Sequence, residues 1–193
     1  KFLGCFIGGA AGDALGYAVE FLTEDEIVSQ YGKEGITGYH LQDGLARISD
    51  GTQMTLFTAN GLLVGQTRGC LRGIMGPYTD YVAQAYQEWY KTQVCDFPAT
   101  EDFHTCWLLH IPGLYVRHAP GTICMEAIAD GAAGSIERPI NNSKGCGGVM
   151  RVASVGLYLG SSQMAGLATD LVAADVAALT HGHELGYIPA AML

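Results

Sequence analysis

Apolar residues recur along this chain at intervals of three and four, and no run shows clean alternation of apolar and polar positions bounded by turn residues. The pattern predicts an all-α fold. Helices are expected over about residues 2–19, 52–65, 78–90, 122–130, 149–159 and 163–180, with a final one beginning near His183. Polar or Gly/Pro-rich loops separate them, and those at 32–49 and 136–148 are long enough to carry function rather than merely connect. No repeat or linker divides the chain, so residues 1–193 are expected to form one domain, large enough to bury a substantial core. Residues 187–193 are apolar and carry no Gly, Asn or basic stop signal, so the last helix is expected to continue and the domain to be incomplete at its C-terminus.

Composition sharpens this picture. Hydrophobic residues make up 49% of the chain and charged residues 15%, which excludes disorder. Gly, Asp, Glu and Gln interrupt every apolar stretch before it reaches the roughly eighteen residues of a membrane span. The opening residues lack a charged leader and run directly into Asp13 and Glu20, which argues against a signal peptide. A net charge of −9 disfavours a nucleic-acid polymer as partner and welcomes divalent cations. The six cysteines contain no CxxC pair, as expected of reduced, mostly buried thiols in a cytoplasmic protein. Mean hydropathy of +0.19 is high for a monomer and leads to the expectation of a homo-oligomer.

Four constellations carry candidate chemistry. The first helix holds Gly4, Gly8, Gly12 and Gly16 at a spacing of four, and each glycine costs a helix roughly 1 kcal/mol relative to Ala. Such a stripe admits the close approach of another backbone or of a ligand. Asp13 and Glu20, seven residues apart, project from the same face as Gly9 and Gly16; they form either an acidic groove or two solvated surface acids. The second constellation, Ser49-Asp50-Gly51-Thr52-Gln53, stands at the mouth of a central helix. Asp50 and Gln53 fit a capping box, whereas Ser49 and Asp50 together offer oxygen ligands to Mg²⁺ or Mn²⁺. Third, the loop from Asn141 to Gly148 runs into an apolar helix, where backbone N–H groups, Lys144 and Arg151 suit an anion, although a tight turn would explain it equally. Last comes Thr180-His181-Gly182-His183. Histidines two apart point in different directions on a helix, which speaks against zinc and for a capping or ligand-contacting His.

In this order, the segments GCFIGGAAGDALGYAVEF, ISDGTQMTLFTANGLL, NNSKGCGGVMRVASVGLYLG and ALTHGHELGYIPAA resemble the ADP-ribosylglycohydrolase family, including the dinitrogenase-reductase-activating glycohydrolases. The resemblance implies a compact orthogonal helical bundle, here lacking its C-terminal helices. It implies a binuclear Mg²⁺ or Mn²⁺ centre and hydrolysis of the bond between ADP-ribose and a protein side chain or small acceptor. Carried over by position, Glu20 matches the catalytic or metal-linked glutamate, and Ser49 and Asp50 match the start of a metal-binding Ser/Thr-Asp-Asp triplet. Gly145, Cys146, Gly147, Gly148, Met150 and Arg151 match the segment holding the ribose and phosphates, and His181 a substrate-contacting histidine. Two departures weaken the implied centre: Gly51 stands where the triplet has its second Asp, and no C-terminal aspartate cluster follows. Impaired catalysis is therefore expected. The competing expectation is a non-catalytic relative that binds ADP-ribose or serves structurally, as the family's crystallin members do.

Overall fold

The computed structural model describes residues 1–99, 104–161 and 169–193, and among these the chain forms eight α-helices and one small hairpin. The first helix, α1 (Phe2–Tyr17), ends two residues earlier than the apolar pattern suggests, and Glu20 lies in the turn that follows. The next, α2 (Glu24–Tyr31), falls within polar sequence that showed no apolar periodicity. Its start is set locally by a capping box, in which the Thr23 side chain accepts from Glu26 N and the Glu26 carboxylate accepts from Thr23 N at 2.7 Å. In the loop expected at 32–49, β1 (Leu41–Gln42) and β2 (Leu45–Ala46) pair antiparallel. Asp43 and Gly44 turn the hairpin with φ of 52° and 78°, the left-handed backbone that Asp-Gly supplies cheaply.

The long helix α3 (Asp50–Arg72) runs through the centre and buries Met54, Phe57 and Leu62. It outlasts its apolar periodicity and stops at Gly73, which adopts the left-handed C-cap conformation. Against it packs α4 (Tyr78–Val94), and here glycine permits a close approach. A Cβ on Gly61 would lie 2.8 Å from the Cα of Val82, and one on Gly65 would lie 2.7 Å from the Tyr81 ring. By contrast, nothing comes within 4 Å of a Cβ placed on Gly4, Gly8, Gly9, Gly12 or Gly16, so among the described residues no backbone approaches the α1 stripe. Leu3 and Ile7 beside it are 73% and 60% exposed.

The remaining helices are α5 (Thr122–Ala129), α6 (Ala153–Ser161), α7 (Thr169–Ala178) and α8 (Glu184–Met192). The helix expected at 149–159 is instead a short 3₁₀ turn, Val149–Arg151, followed by α6. The N–H groups of Val149 and Met150 both bond to the Cys146 carbonyl, which tightens the chain there. Of the helix expected over 163–180, α7 covers the C-terminal part, and residues 163–168 lie outside the described residues. The core joins Met54, Phe57, Tyr86, Trp89, Val155 and Val176 from α3, α4, α6 and α7. Among the described residues no helix is long and apolar enough to cross a membrane.

Candidate functional site

An open groove of about 500 Å³ lies between α1 and the N-terminus of α3. It exists because Asp13 ties the two helices together. The Asp13 carboxylate accepts from the backbone N of Ser49 at 2.9 Å, from the Ser49 hydroxyl at 2.6 Å, from Thr52 N at 3.2 Å and from the Thr52 hydroxyl. A negative charge thus sits on the exposed N–H groups of α3, where the helix dipole favours it. Ser49 itself is the N-cap, its hydroxyl accepting from Gly51 N at 3.0 Å. The capping box expected of Asp50 and Gln53 therefore does not form. With Ser49 as N-cap, Thr52 occupies the third helical position, and Gln53 turns into the core. There its side chain donates to the Val116 carbonyl and accepts from Trp89 Nε1 at 2.9 Å and Gln93 Nε2 at 3.1 Å.

Asp50 is held on both sides. Its N–H donates to the His118 carbonyl at 3.0 Å, and its carboxylate accepts from Gly121 N at 3.0 Å. Burial raises its pKa most, and the charges of Glu20 and Asp13 add to the rise against the Gly121 hydrogen bond and the Arg151 charge. Glu20 is likewise raised, first by burial and then by Asp13. Tyr17, which shares the groove, is raised by burial and by all three carboxylates. Among the described residues none of these acids forms an ion pair, so the groove holds unbalanced negative charge. Asp13 and Glu20 both line the groove, but not as two positions on one helix face, because α1 ends at Tyr17 and Glu20 lies in the turn that follows. Tyr17, Thr52 and Thr55, which also line the groove, carried no sequence signal apart from proximity to the motifs.

The glycine loop lies differently from expectation. Of Gly145, Cys146, Gly147, Gly148 and Met150, Met150 alone lines the acidic groove. The loop is stitched to the 180–183 segment: Asn141 donates to the Thr180 carbonyl at 2.8 Å and accepts from Gly182 N at 3.0 Å. His181 is 2% exposed and lies beneath the loop, where a Cβ on Gly147 would fall 2.9 Å from its ring. Burial, then the Arg151 charge, push its pKa down to about 4, so the ring is neutral. Arg151 is fully buried, which corrects the expectation that it faces an anion. Its guanidinium donates to Thr180 Oγ1 at 2.6 Å and to the Val176 carbonyl at 3.3 Å, and lies 4.5 Å from the Tyr86 ring centre. Nor does the loop enter a long helix, since a three-residue 3₁₀ turn follows it.

A family model described as ADP-ribosylglycohydrolase matches residues 1–193. The chain belongs to the ADP-ribosylglycohydrolase family. It is also 44% identical over 64 residues to the ADP-ribosyl-[dinitrogen reductase] glycohydrolase of Rhodospirillum rubrum, a stretch covering 32% of this chain and 22% of that relative. No solved structure matches the chain. The helical architecture agrees with the fold expected of an ADP-ribosylglycohydrolase.

ADP-ribosylglycohydrolases are typically metal-dependent, and the donors in this groove can be tested against that need. Carboxylate and hydroxyl oxygens are the ligand types that Mg²⁺ and Mn²⁺ take. Ser49 and Asp50 present such oxygens at the groove wall, and the unbalanced charge of the three acids attracts a cation. Their number is the shortfall. Asp13 is engaged by four donors, Gly51 brings no side chain, and among the described residues no three His, Cys, Asp or Glu side chains gather closely enough to hold a metal ion. The donors at the groove are thus of the type a hard cation takes, but among the described residues they do not gather into a ligand set.

Proposed function

We propose that this chain supplies one wall of a hydrolase site that cleaves the glycosidic bond between ADP-ribose and a protein side chain or small acceptor. The observation supporting this reading is the convergence of Asp13, Glu20 and Asp50 on one groove, with two of them raised in proton affinity by burial and by their neighbours. A bond at an anomeric carbon breaks through an oxocarbenium-like state, so the site must orient the ribose hydroxyls and deliver water. Glu20, exposed at the groove and more easily protonated than an ordinary glutamate, is the residue assigned to move that proton. Ser49 and Asp50 would hold Mg²⁺ or Mn²⁺, which when bound supplies charge for the ribose diol and lowers the pKa of a coordinated water. Asp13 fixes the geometry of this wall from behind.

Gly145, Cys146, Gly147 and Gly148, supported by His181, are assigned to the ribose and phosphates, with Met150 joining loop and groove. Arg151 serves that loop indirectly, from the core. Gly51 favours a second reading, in which the chain binds ADP-ribose without turning it over. The experiment is release of ADP-ribose from an ADP-ribosylated peptide with Mn²⁺ and with a chelator. Metal-dependent release is expected, slowed by the missing carboxylate at Gly51. Tight ADP-ribose binding with no release under either condition would establish the second reading instead.

A further inference from the structure

Thr180 lies just beyond the end of α7, fully buried, with its hydroxyl between a cation and an imidazole. Its Oγ1 is 2.6 Å from Nη2 of Arg151 and 2.8 Å from Nδ1 of His181. A guanidinium has only donors, so Arg151 donates and Thr180 accepts. One hydroxyl hydrogen remains to be placed. Accepting from a cation polarises the O–H bond and makes it a stronger donor. Cys124 Sγ, which also receives Arg151 at 3.6 Å, is the competing acceptor, but burial raises its pKa and keeps it a neutral thiol, a weak one. The imidazole nitrogen is the better partner.

We propose that Thr180, acting with Arg151, is a positioning residue that donates to Nδ1 of His181, fixes that ring as its Nε2–H tautomer, and so directs a hydrogen-bond donor at the Gly145–Gly147 loop. The direction follows from the glycines. A Cβ on Gly145 or Gly147 would lie 3.2 or 3.1 Å from Nε2, so the absent side chains leave open the space before it. A ligand seated on the loop would therefore meet a neutral donor, which suits a phosphate or hydroxyl oxygen and rejects a cation. The identity of that ligand rests on the glycohydrolase reading above; the tautomer does not.

The test is nitrogen NMR of the intact chain labelled with ¹⁵N-histidine, the His181 signals being assigned by their loss in His181→Gln. A pyridine-type Nδ1 and a pyrrole-type Nε2 are expected in the unmodified chain. Thr180→Val, which keeps the shape and removes the hydroxyl, should abolish that preference and weaken ADP-ribose binding about tenfold, with Thr180→Ser restoring both. A protonated Nδ1 in the unmodified chain overturns the proposal even if the Val variant does not fold. So does a folded Val variant that retains the Nε2–H ring. The expected tautomer with no ADP-ribose binding by any form would leave the role of Thr180 standing and remove the glycohydrolase reading of the loop.

Discussion

The Asp13 carboxylate receives both hydrogens that Ser49 offers, from its backbone N at 2.9 Å and its hydroxyl at 2.6 Å, across 36 residues of sequence. This contact joins the first two motifs of the chain into one wall and makes Asp13 a structural acid in the middle of a candidate site. Charge-assisted bonds of this kind are worth about 1.5–3 kcal/mol, and Asp13→Ala would also leave four donors without their acceptor. Asp13→Ala should therefore lower the stability by about 2–3 kcal/mol, or Tm by roughly 5–10 °C. Calorimetry of the two forms decides, and a Tm unchanged by the substitution would remove Asp13 from the architecture.

The two sets of glycines should respond oppositely to alanine. A Cβ on Gly4 or Gly8 meets nothing within 4 Å, whereas one on Gly61 comes within 2.8 Å of Val82 Cα. Gly4→Ala and Gly8→Ala should each stabilise by up to about 1 kcal/mol through helix propensity alone. Gly61→Ala should destabilise by about 1–3 kcal/mol, because two backbones must separate. Urea unfolding of the three variants measures both signs. Loss of stability in Gly4→Ala would mean that something does approach the α1 stripe.

How these features read from sequence follows from the forces behind them. The long amphipathic helices α3 and α4 were legible because burying their apolar stripes is what makes them form. Helix α2 was not, because a Thr23–Glu26 capping box holds it rather than an apolar face; the Thr-x-x-Glu pattern was there to be read. The hairpin at Asp43-Gly44 escaped for a similar reason, since two-residue strands are too short to show alternation. Of the two approaches the α1 glycine stripe allowed, a backbone or a ligand, no backbone comes close among the described residues, and the close helix contact lies instead on α3 at Gly61 and Gly65. At the site, Asp13 and Glu20 do line one groove, yet no local pattern could say that Arg151 turns inward, because its partners Tyr86 on α4, Val176 on α7 and Thr180 just beyond α7 are distant in sequence.

His181 makes stability depend on pH in a direction that can be stated. Burial and the Arg151 charge move its pKa from 6.5 in the unfolded chain to about 4 in the folded one. Between those values the unfolded chain binds a proton that the folded chain refuses. The contribution of this residue is therefore complete above about 6.5 and is lost as pH falls toward about 4. Glu20 and Asp50 act in the opposite sense, since their raised pKa values make protonation favour the fold. Comparing the unmodified chain with His181→Gln isolates the histidine. The stability difference between them should shift against the unmodified chain as pH is lowered through this window, and a constant difference would contradict a depressed pKa.

On the proposed reading, Gly51 is expected to limit cation binding at the mouth of α3. A Cβ there would lie 3.5 Å from Met150 Sδ, an ordinary contact, and 3.2 Å from Ser49 Oγ, a tight one with a hydroxyl held by Asp13, so a shift of a few tenths of an ångström is needed. Gly51→Asp is expected to be accommodated with that shift and to add a carboxylate beside Asp50. Mn²⁺ affinity measured by titration calorimetry should rise at least about tenfold. Tight binding by the unmodified chain, with no gain on substitution, would show that position 51 is not a ligand position.

Glu20 is the residue on which the catalytic reading stands. It shares the groove with Asp13 and Asp50, but unlike Asp13 it is not consumed by hydrogen bonds that hold the wall together, and unlike Asp50 it is exposed. Its proton affinity is raised, first by the desolvation of its site and then by Asp13, the direction that favours a carboxyl group able to carry a proton. Glu20→Gln preserves size and removes that ability. Hydrolysis of an ADP-ribosylated peptide should be abolished, while affinity for free ADP-ribose stays within about tenfold, or about 1.4 kcal/mol, because the Gly145–Gly148 loop and His181 are untouched. Loss of turnover with retained binding separates a chemical role from a binding one. Loss of both would make Glu20 a ligand contact, and undiminished turnover would remove it from the mechanism altogether.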